Sequence, residues 1–303
     1  MTDATFPHRA CPACAADQPK VEVSSAHPAE AMSLDALRPA WMGLNDDKPF
    51  FSYARCGMCG LLYAPAFFTD AQLDELYADM APNMDVVPLA AIERTQRGYF
   101  DTAAEGATLD GDFLELGPDI GYVAGHAARE GRFDRFWLVE PNRSVHPQLA
   151  AAVGDRPHAI LTDLEDLSAV PDGSVGLAVM VHVLDHLLAP LATLTTLHRK
   201  LKPGGRLMIV THNEASLLRR VMGRKWPPFC LQHPELYNPR SIAALARRAG
   251  YAATRVRRSR NYFPIDFMAR QAAGTVGVRL DRLPLPKTAL GLRLGNIITV
   301  AEK

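Results

Sequence analysis

Four of the five cysteines stand in two pairs with two residues between the members, Cys11-Pro12-Ala13-Cys14 and Cys56-Gly57-Met58-Cys59. Thiolates at that spacing suit corners of one tetrahedral Zn²⁺ site, and Gly60 permits the turn that aims backbone amides at sulfur. Disulfides are the poorer reading, since Met1–Pro19 lacks the apolar core of a signal peptide. A redox pair is poorer still, because neither CxxC opens a helix after a buried strand. Cys230 reads as a small buried apolar residue. Titratable groups also close apolar runs. Glu115 ends FLEL, Glu140 follows FWLV, Asp163 comes just after a run ending at Leu161, and His182 and His186 follow VGLAVMV. Carboxylates in such places accept hydrogen bonds from a ligand, and imidazoles move protons near neutral pH.

Those groups are positioned by a regular alternation. FLEL, the glycine turn of Gly117 and Gly121, a helix-like stretch and FWLV read as strand, turn, helix, strand. An acid closing the second strand about 20 residues on is the arrangement that puts a nucleoside on a doubly wound sheet. Glu140 is then placed to accept hydrogen bonds from both ribose hydroxyls. The expected elements continue as strand 113–116, helix 119–130, strand 136–139, helix 143–153, strand 158–161 and buried strand 175–181. Leu191, Leu194, Leu197 and Leu201 form one apolar helix stripe that stops at Lys202-Pro203-Gly204-Gly205. Strand 206–211, helix 239–249, strand 252–258 and a last strand at 296–301 complete the order.

Ahead of this core, residues 1–68 are expected to form the metal module, with a short helix within 28–41 and strands at 50–53 and 61–63. Residues 69–108 are expected to form a helical linker, with helices over 71–79 and 89–104 and a break at 81–88. Residues 213–238, rich in Pro, aromatics and Arg, are expected to form a lid within a third unit, 109–303. The chain has 303 residues, 33 basic and 33 acidic, so nothing global draws it to nucleic acid or membrane. No apolar run is long enough to span a bilayer, and a cytoplasmic location is expected.

The dinucleotide fingerprint asks for G-x-G-x-x-G, whereas Gly117 and Gly121 stand four apart with Asp119 between them. The segments ELGPDIG, LVEPN, LDHL and LHRKLKPGGRLMIV resemble, in order and interval, those of class I S-adenosylmethionine (SAM) methyltransferases, over about residues 110–212. Asp119 takes the place of the middle glycine, and Asp tolerates left-handed backbone better than most residues. The resemblance implies an α/β fold, a Rossmann-like doubly wound sheet with a small N-terminal zinc ribbon. It implies a SAM site at Glu115, Gly117, Pro118, Gly121, Glu140, Pro141, Asp163, Leu164 and His182, with Asp163 on the adenine amino group and the neighbouring amide on a ring nitrogen. The helix before the core often covers the methionine end in this family, which brings in Tyr99, with Tyr77 and Arg94 as further contacts.

The two CxxC pairs, the EPN turn and the His-containing lid before NPRSIAAL are similar to the zinc-binding sugar C-methyltransferases. Their Tyr-x-Glu-His lid motif deprotonates carbon beside a carbonyl. Here His233 matches the His, Gln232 replaces the Glu and Cys230 the Tyr, and the family's further C-terminal domain is not expected. The expected activity is methyl transfer from SAM to a small-molecule acceptor, a nucleotide sugar or other pathway intermediate, with carbon favoured. His182 and His233 are the expected bases, with Tyr237 as a further candidate. Arg219, Arg220, Arg224 and Lys225 would either bind a phosphate or form a solvated basic face. Two other classes stay open: an RNA methyltransferase, for which Arg247–Arg260 carries six arginines, and a non-catalytic SAM-fold subunit.

Overall fold

The computed structural model describes residues 6–41, 48–78, 88–108, 110–275, 286 and 288–303. Strand β1 (Pro19–Val23) is followed by short helical turns that include α1 (Leu34–Leu37), then by β2 (Tyr53–Cys56) and β3 (Leu62–Tyr63). Helices α2 (Asp70–Ala78) and α3 (Leu89–Ala104) lead to the core. There β4 (Asp110–Leu116), α4 (Tyr122–Glu130), β5 (Arg132–Val139), α5 (His146–Val153) and β6 (His158–Leu161) alternate. They continue into β7 (Val175–Val181), α6 (Pro190–Lys200) and β8 (Leu201–His212). Beyond lie α7 (Leu217–Met222), β9 (Glu235–Leu236), α8 (Pro239–Arg248), β10 (Ala253–Arg258), β11 (Asn261–Pro264), α9 (Ile265–Thr275), β12 (Ala289–Leu292) and β13 (Asn296–Glu302).

The central sheet has seven strands in the order β10-β13-β8-β7-β4-β5-β6. β13 runs antiparallel to both of its neighbours, and the pairings from β8 through β6 are parallel. Parallel strands are covered on both faces, and the side-chain period of two divides them cleanly here. Leu114, Leu116, Ala178, Met180, Leu207 and Ile209 pack in one core with Leu194, Leu197, Ile242 and Leu245 of α6 and α8. Phe113, Leu177, Val179, Met208 and Val210 pack in the other with Val123, Ala127 and Leu149 of α4 and α5. The order reverses between β4 and β7, so their carboxyl ends form the crevice where such sheets bind ligands.

Some boundaries differ from expectation for local reasons. Helix α4 starts at Tyr122 rather than 119, because Gly121 stands at φ +84° and closes the turn first. Phe50 makes only an isolated bridge to Pro28, and the strand begins at Tyr53. The expected break at 81–88 falls outside the described residues, Pro88 apart. Residues 259–295, for which the sequence suggested no element, include the β11–β12 pair.

A second sheet has the order β1-β2-β3-β9. Its last strand comes from the expected lid: Leu62 pairs with Leu236 and Tyr63 with Glu235. Charge pairs reinforce that seam. Arg55 of β2 grips the buried Glu214 through both nitrogens of its fork, at 2.9 and 3.1 Å, and Arg9 reaches Glu235 at 2.6 Å. Residues 213–238 are thus anchored to the N-terminal module as well as joined to the core in sequence.

Candidate active site

The turn after β4 is built from residues that must take left-handed backbone. Gly117 has φ +63°, and a Cβ there would lie 2.5 Å from Cγ2 of Val183, so the turns after β4 and β7 abut. Asp119 adopts φ +51°, as its short polar side chain allows. Its N–H donates to Glu140 Oε2 at 2.9 Å, and the Asn142 N–H donates to Oε1 at 2.8 Å. Glu140 is therefore fixed with lone pairs to spare on each oxygen. Burial raises its pKa, and those two amides pull the other way. Glu115 is deeper, 2% exposed, with Oε2 unpartnered. Burial pushes its pKa up to about 8.

A cleft of about 490 Å³ opens past the ends of β5 and β6, lined by Arg143, His146, Thr162 and Asp163 among others. His146 ties it to the acid, with Nε2 2.9 Å from the Glu140 carbonyl oxygen. Asp163 Oδ1 accepts the N–H groups of Glu165 and Asp166, which fixes the loop and leaves Oδ2 for a ligand.

At the ends of β7 and β8 four imidazoles form a file. The ring centroids of His182 and His212 are 4.6 Å apart, those of His212 and His233 5.1 Å, and those of His233 and His186 4.6 Å. His182 stands at φ +53° and is half-buried. Asp185, fully buried, lies beneath, with Oδ2 4.0 Å from His182 Nδ1 and 3.8 Å from His212 Nε2. Its burial disfavours charge, but the imidazoles, His182 foremost, hold its carboxyl well below the usual carboxylate range. Asn296 spans the first pair, 3.2 Å from His182 Nε2 and 3.1 Å from His212 Nδ1.

The sequence profile of the methyltransferase-domain family matches residues 90–256, more than half of the chain. The chain belongs to that family. A search of curated proteins found no match. Among solved structures, the complex between the Haloferax volcanii Trm112 methyltransferase activator and its methyltransferase partner is similar at 18% identity and TM-score 0.51, over 70% of this chain and 92% of that one. A SAM-dependent methyltransferase from Mesorhizobium loti matches at 16% identity and TM-score 0.47, over 71% of this chain and 99% of that one. At these identities the likeness concerns the fold.

In this methyltransferase the residues present fit SAM. Gly117 lets the turn after β4 press close against Val183, Glu115 keeps an unpartnered buried oxygen, and Glu140 and Asp163 keep free acceptor sites. Pro118 is buried, Pro141 exposed, and Leu164 packs on the core while its backbone stays in the loop with Asp163. Tyr99 of α3 is buried, with its hydroxyl facing Ser259, Asn261 and Asn296, so it joins the histidine file from behind. Tyr77 meets His186 Nδ1 at 3.1 Å, and Arg94 stacks over Tyr262.

The lid residues are sorted differently from the motif they resemble. His233 is buried with Nδ1 2.8 Å from the Pro228 carbonyl oxygen and 3.3 Å from Cys230 Sγ. Burial opposes charge on this pair, but each draws the other, so the thiol titrates below its ordinary range and the imidazole is pushed up to about 9. Gln232 turns away to donate to the Trp41 carbonyl oxygen at 3.0 Å. Tyr237 is fully buried with its hydroxyl unpartnered, near Glu235 and Asp185. Arg219 is occupied by Glu22 at 2.7 Å and Glu214 at 3.8 Å.

The four cysteines of the two CxxC pairs converge. Cys11 and Cys59 are 3.5 Å apart at sulfur, as are Cys14 and Cys56, and all four sulfurs lie within 4.8 Å of one another. Tetrahedral Zn–S bonds of about 2.3 Å put sulfurs roughly 3.8 Å apart, so the donor set fits such an ion. Sequence reasoning passed over His212, Asp185 and Asn296. The available signal was position: His212 ends the strand beside the one that presents His182.

Proposed function

We propose that this methyltransferase transfers the methyl group of SAM to a small molecule at a carbon beside a carbonyl, with an imidazole at the ends of β7 and β8 taking the proton. The observation that carries the reading is the file of His182, His212, His233 and His186 at the sheet's carboxyl edge, closed over by residues 213–238. SAM supplies an electrophilic methyl on sulfur. Glu140 would hold the ribose hydroxyls and Asp163 the adenine amine. The turn from Glu115 to Gly121 would seat the methionine part. His233, kept cationic by Cys230, would face the negative charge that grows on an acceptor carbonyl. Tyr237, buried within the lid itself, would support the lid rather than touch the acceptor. The four cysteines would hold structural Zn²⁺, and a nucleotide sugar is the acceptor class that the zinc-ribbon arrangement suggests.

Basic surface favours RNA less. Arg257 pairs with Glu105 and Arg255 with Glu302, so part of the arginine-rich strand is already neutralised. The test is label transfer from methyl-tritiated SAM into a cell extract separated into small molecules, RNA and protein. Alkali-stable label in the small-molecule pool is expected. Label in RNA would overturn the acceptor class. Failure of the wild type to bind SAM at micromolar concentration, or unchanged binding in Glu140→Ala, would overturn the cofactor site.

A further inference from the structure

An amide side chain carries one oxygen and one NH₂, and Asn296 uses them on two different histidines. Its Oδ1 faces His212 Nδ1 at 3.1 Å and its Nδ2 faces His182 Nε2 at 3.2 Å. An oxygen needs a donor and an NH₂ needs a lone pair. His212 must then carry its proton on Nδ1, leaving Nε2 unprotonated, while neutral His182 carries its proton on Nδ1. Turning the amide over exchanges the two roles and keeps the asymmetry. The same rule disfavours a divalent cation among His182 Nδ1, Asp185 and His212 Nε2, although these atoms lie within 4.8 Å of one another. Both histidines would then have to donate to Asn296, and one N–H would meet the NH₂ head-on.

The two rings also differ in access. His182 has one nitrogen on Asn296 and the other, Nδ1, buried without a hydrogen-bond partner. Nδ1 is sealed from an incoming molecule, and Nε2 is engaged by the amide. The two side chains are similarly exposed, 30% for His182 and 24% for His212, so what separates the rings is the sealed Nδ1 of His182; His212 Nε2 stands 3.8 Å from the buried Asp185 carboxylate. We propose that His212 is the proton acceptor of the transfer, that Asn296 positions it by fixing its tautomer, and that Asp185 is the counter-charge for the imidazolium formed. The proposal rests on the methyl-transfer reading above and replaces His182 as the base within it. The proton leaves the acceptor carbon for Nε2. The freed electron pair bonds the methyl carbon, and the bond from that carbon to sulfur breaks with its electrons kept by sulfur. The ionisable groups facing His212 are His182 and Asp185 from the turn after β7 and His233 from the lid.

The tautomers can be read without knowing the acceptor, by long-range ¹H–¹⁵N NMR on the full chain labelled at histidine, with His182→Gln and His212→Gln assigning the signals. The expected pattern at neutral pH is a protonated Nδ1 and an unprotonated Nε2 for His212, with His182 Nε2 also unprotonated. Asn296→Ala should leave both rings as tautomer mixtures. A His212 ring protonated on Nε2 overturns the proposal. So do unprotonated His182 Nδ1 and His212 Nε2 together with two bound metal ions per chain, which would make the group a cation site. In the label-transfer assay, His212→Gln should lower transfer at least 100-fold with SAM binding unchanged, while His182→Gln retains measurable transfer. Equal loss in both overturns the assignment to His212. Absence of SAM binding in the wild type instead overturns the methyl-transfer reading and leaves the tautomer result to be judged separately.

Discussion

Gly117 serves the turn through both its backbone angle and its missing side chain. At φ +63° and 2.5 Å from Val183, an added methyl group strains the backbone and pushes the two strand-end turns apart. Gly117→Ala is expected to lose about 1–3 kcal/mol of stability and to weaken SAM binding at least tenfold, as read by urea unfolding and calorimetric titration. Glu115 makes a prediction of another kind. Its folded pKa of about 8 lies above the ordinary 4.5, so the native state holds a proton that the unfolded chain has released. Its contribution is fully present below about pH 4.5 and is lost as pH rises through 8. Glu235, pushed up to about 7 by burial, acts in the same sense. Stability of the free protein should fall by on the order of 2–4 kcal/mol between about pH 5 and 9, and Glu115→Gln should flatten much of that slope in urea midpoints. An unchanged slope would mean that Glu115 ionises normally.

The pairing of β3 with β9 makes the lid an extension of the ribbon sheet. Its two residue pairs are few, and the neighbouring charges carry much of the join. Glu214 is 3% exposed at its side chain and is held by Arg55, by Asn238 at 2.6 Å and by Arg219. Arg55→Ala removes the bidentate partner and leaves a buried carboxylate short of charge. With Arg55 itself about a third exposed, the expected cost is about 2–4 kcal/mol. The measurable sign is earlier cleavage within 213–238 in limited proteolysis mapped by mass spectrometry. Cleavage first in α4 or α5 instead would show that the lid does not depend on this seam.

At the scale of the whole molecule, the ribbon, lid and sheet should unfold together. Heating is expected to give one calorimetric transition, and a strong chelator should lower its midpoint rather than split off a second one. Two separated transitions would show that the ribbon is an independent unit. The sheet was legible in the sequence because its signals are local. Glu115, Gly117, Gly121 and Glu140 announce themselves within one strand-turn-helix-strand, and the Leu191–Leu201 stripe within one helix. The lid's attachment was not legible, since Leu62–Tyr63 and Glu235–Leu236 show their relation only once the sheet between them is folded. His212 escaped for the same reason: its partners come from two other stretches of chain, the turn after β7 with His182 and Asp185 and the start of β13 with Asn296. That ordering carries over to synthesis. The ribbon leaves the ribosome with its cysteines complete but with β3 as an open edge, and the strand that closes it emerges roughly 170 residues later. A nascent chain paused before residue 235 would expose a bare strand edge beside buried-type aromatics, the kind of surface that holding chaperones cover.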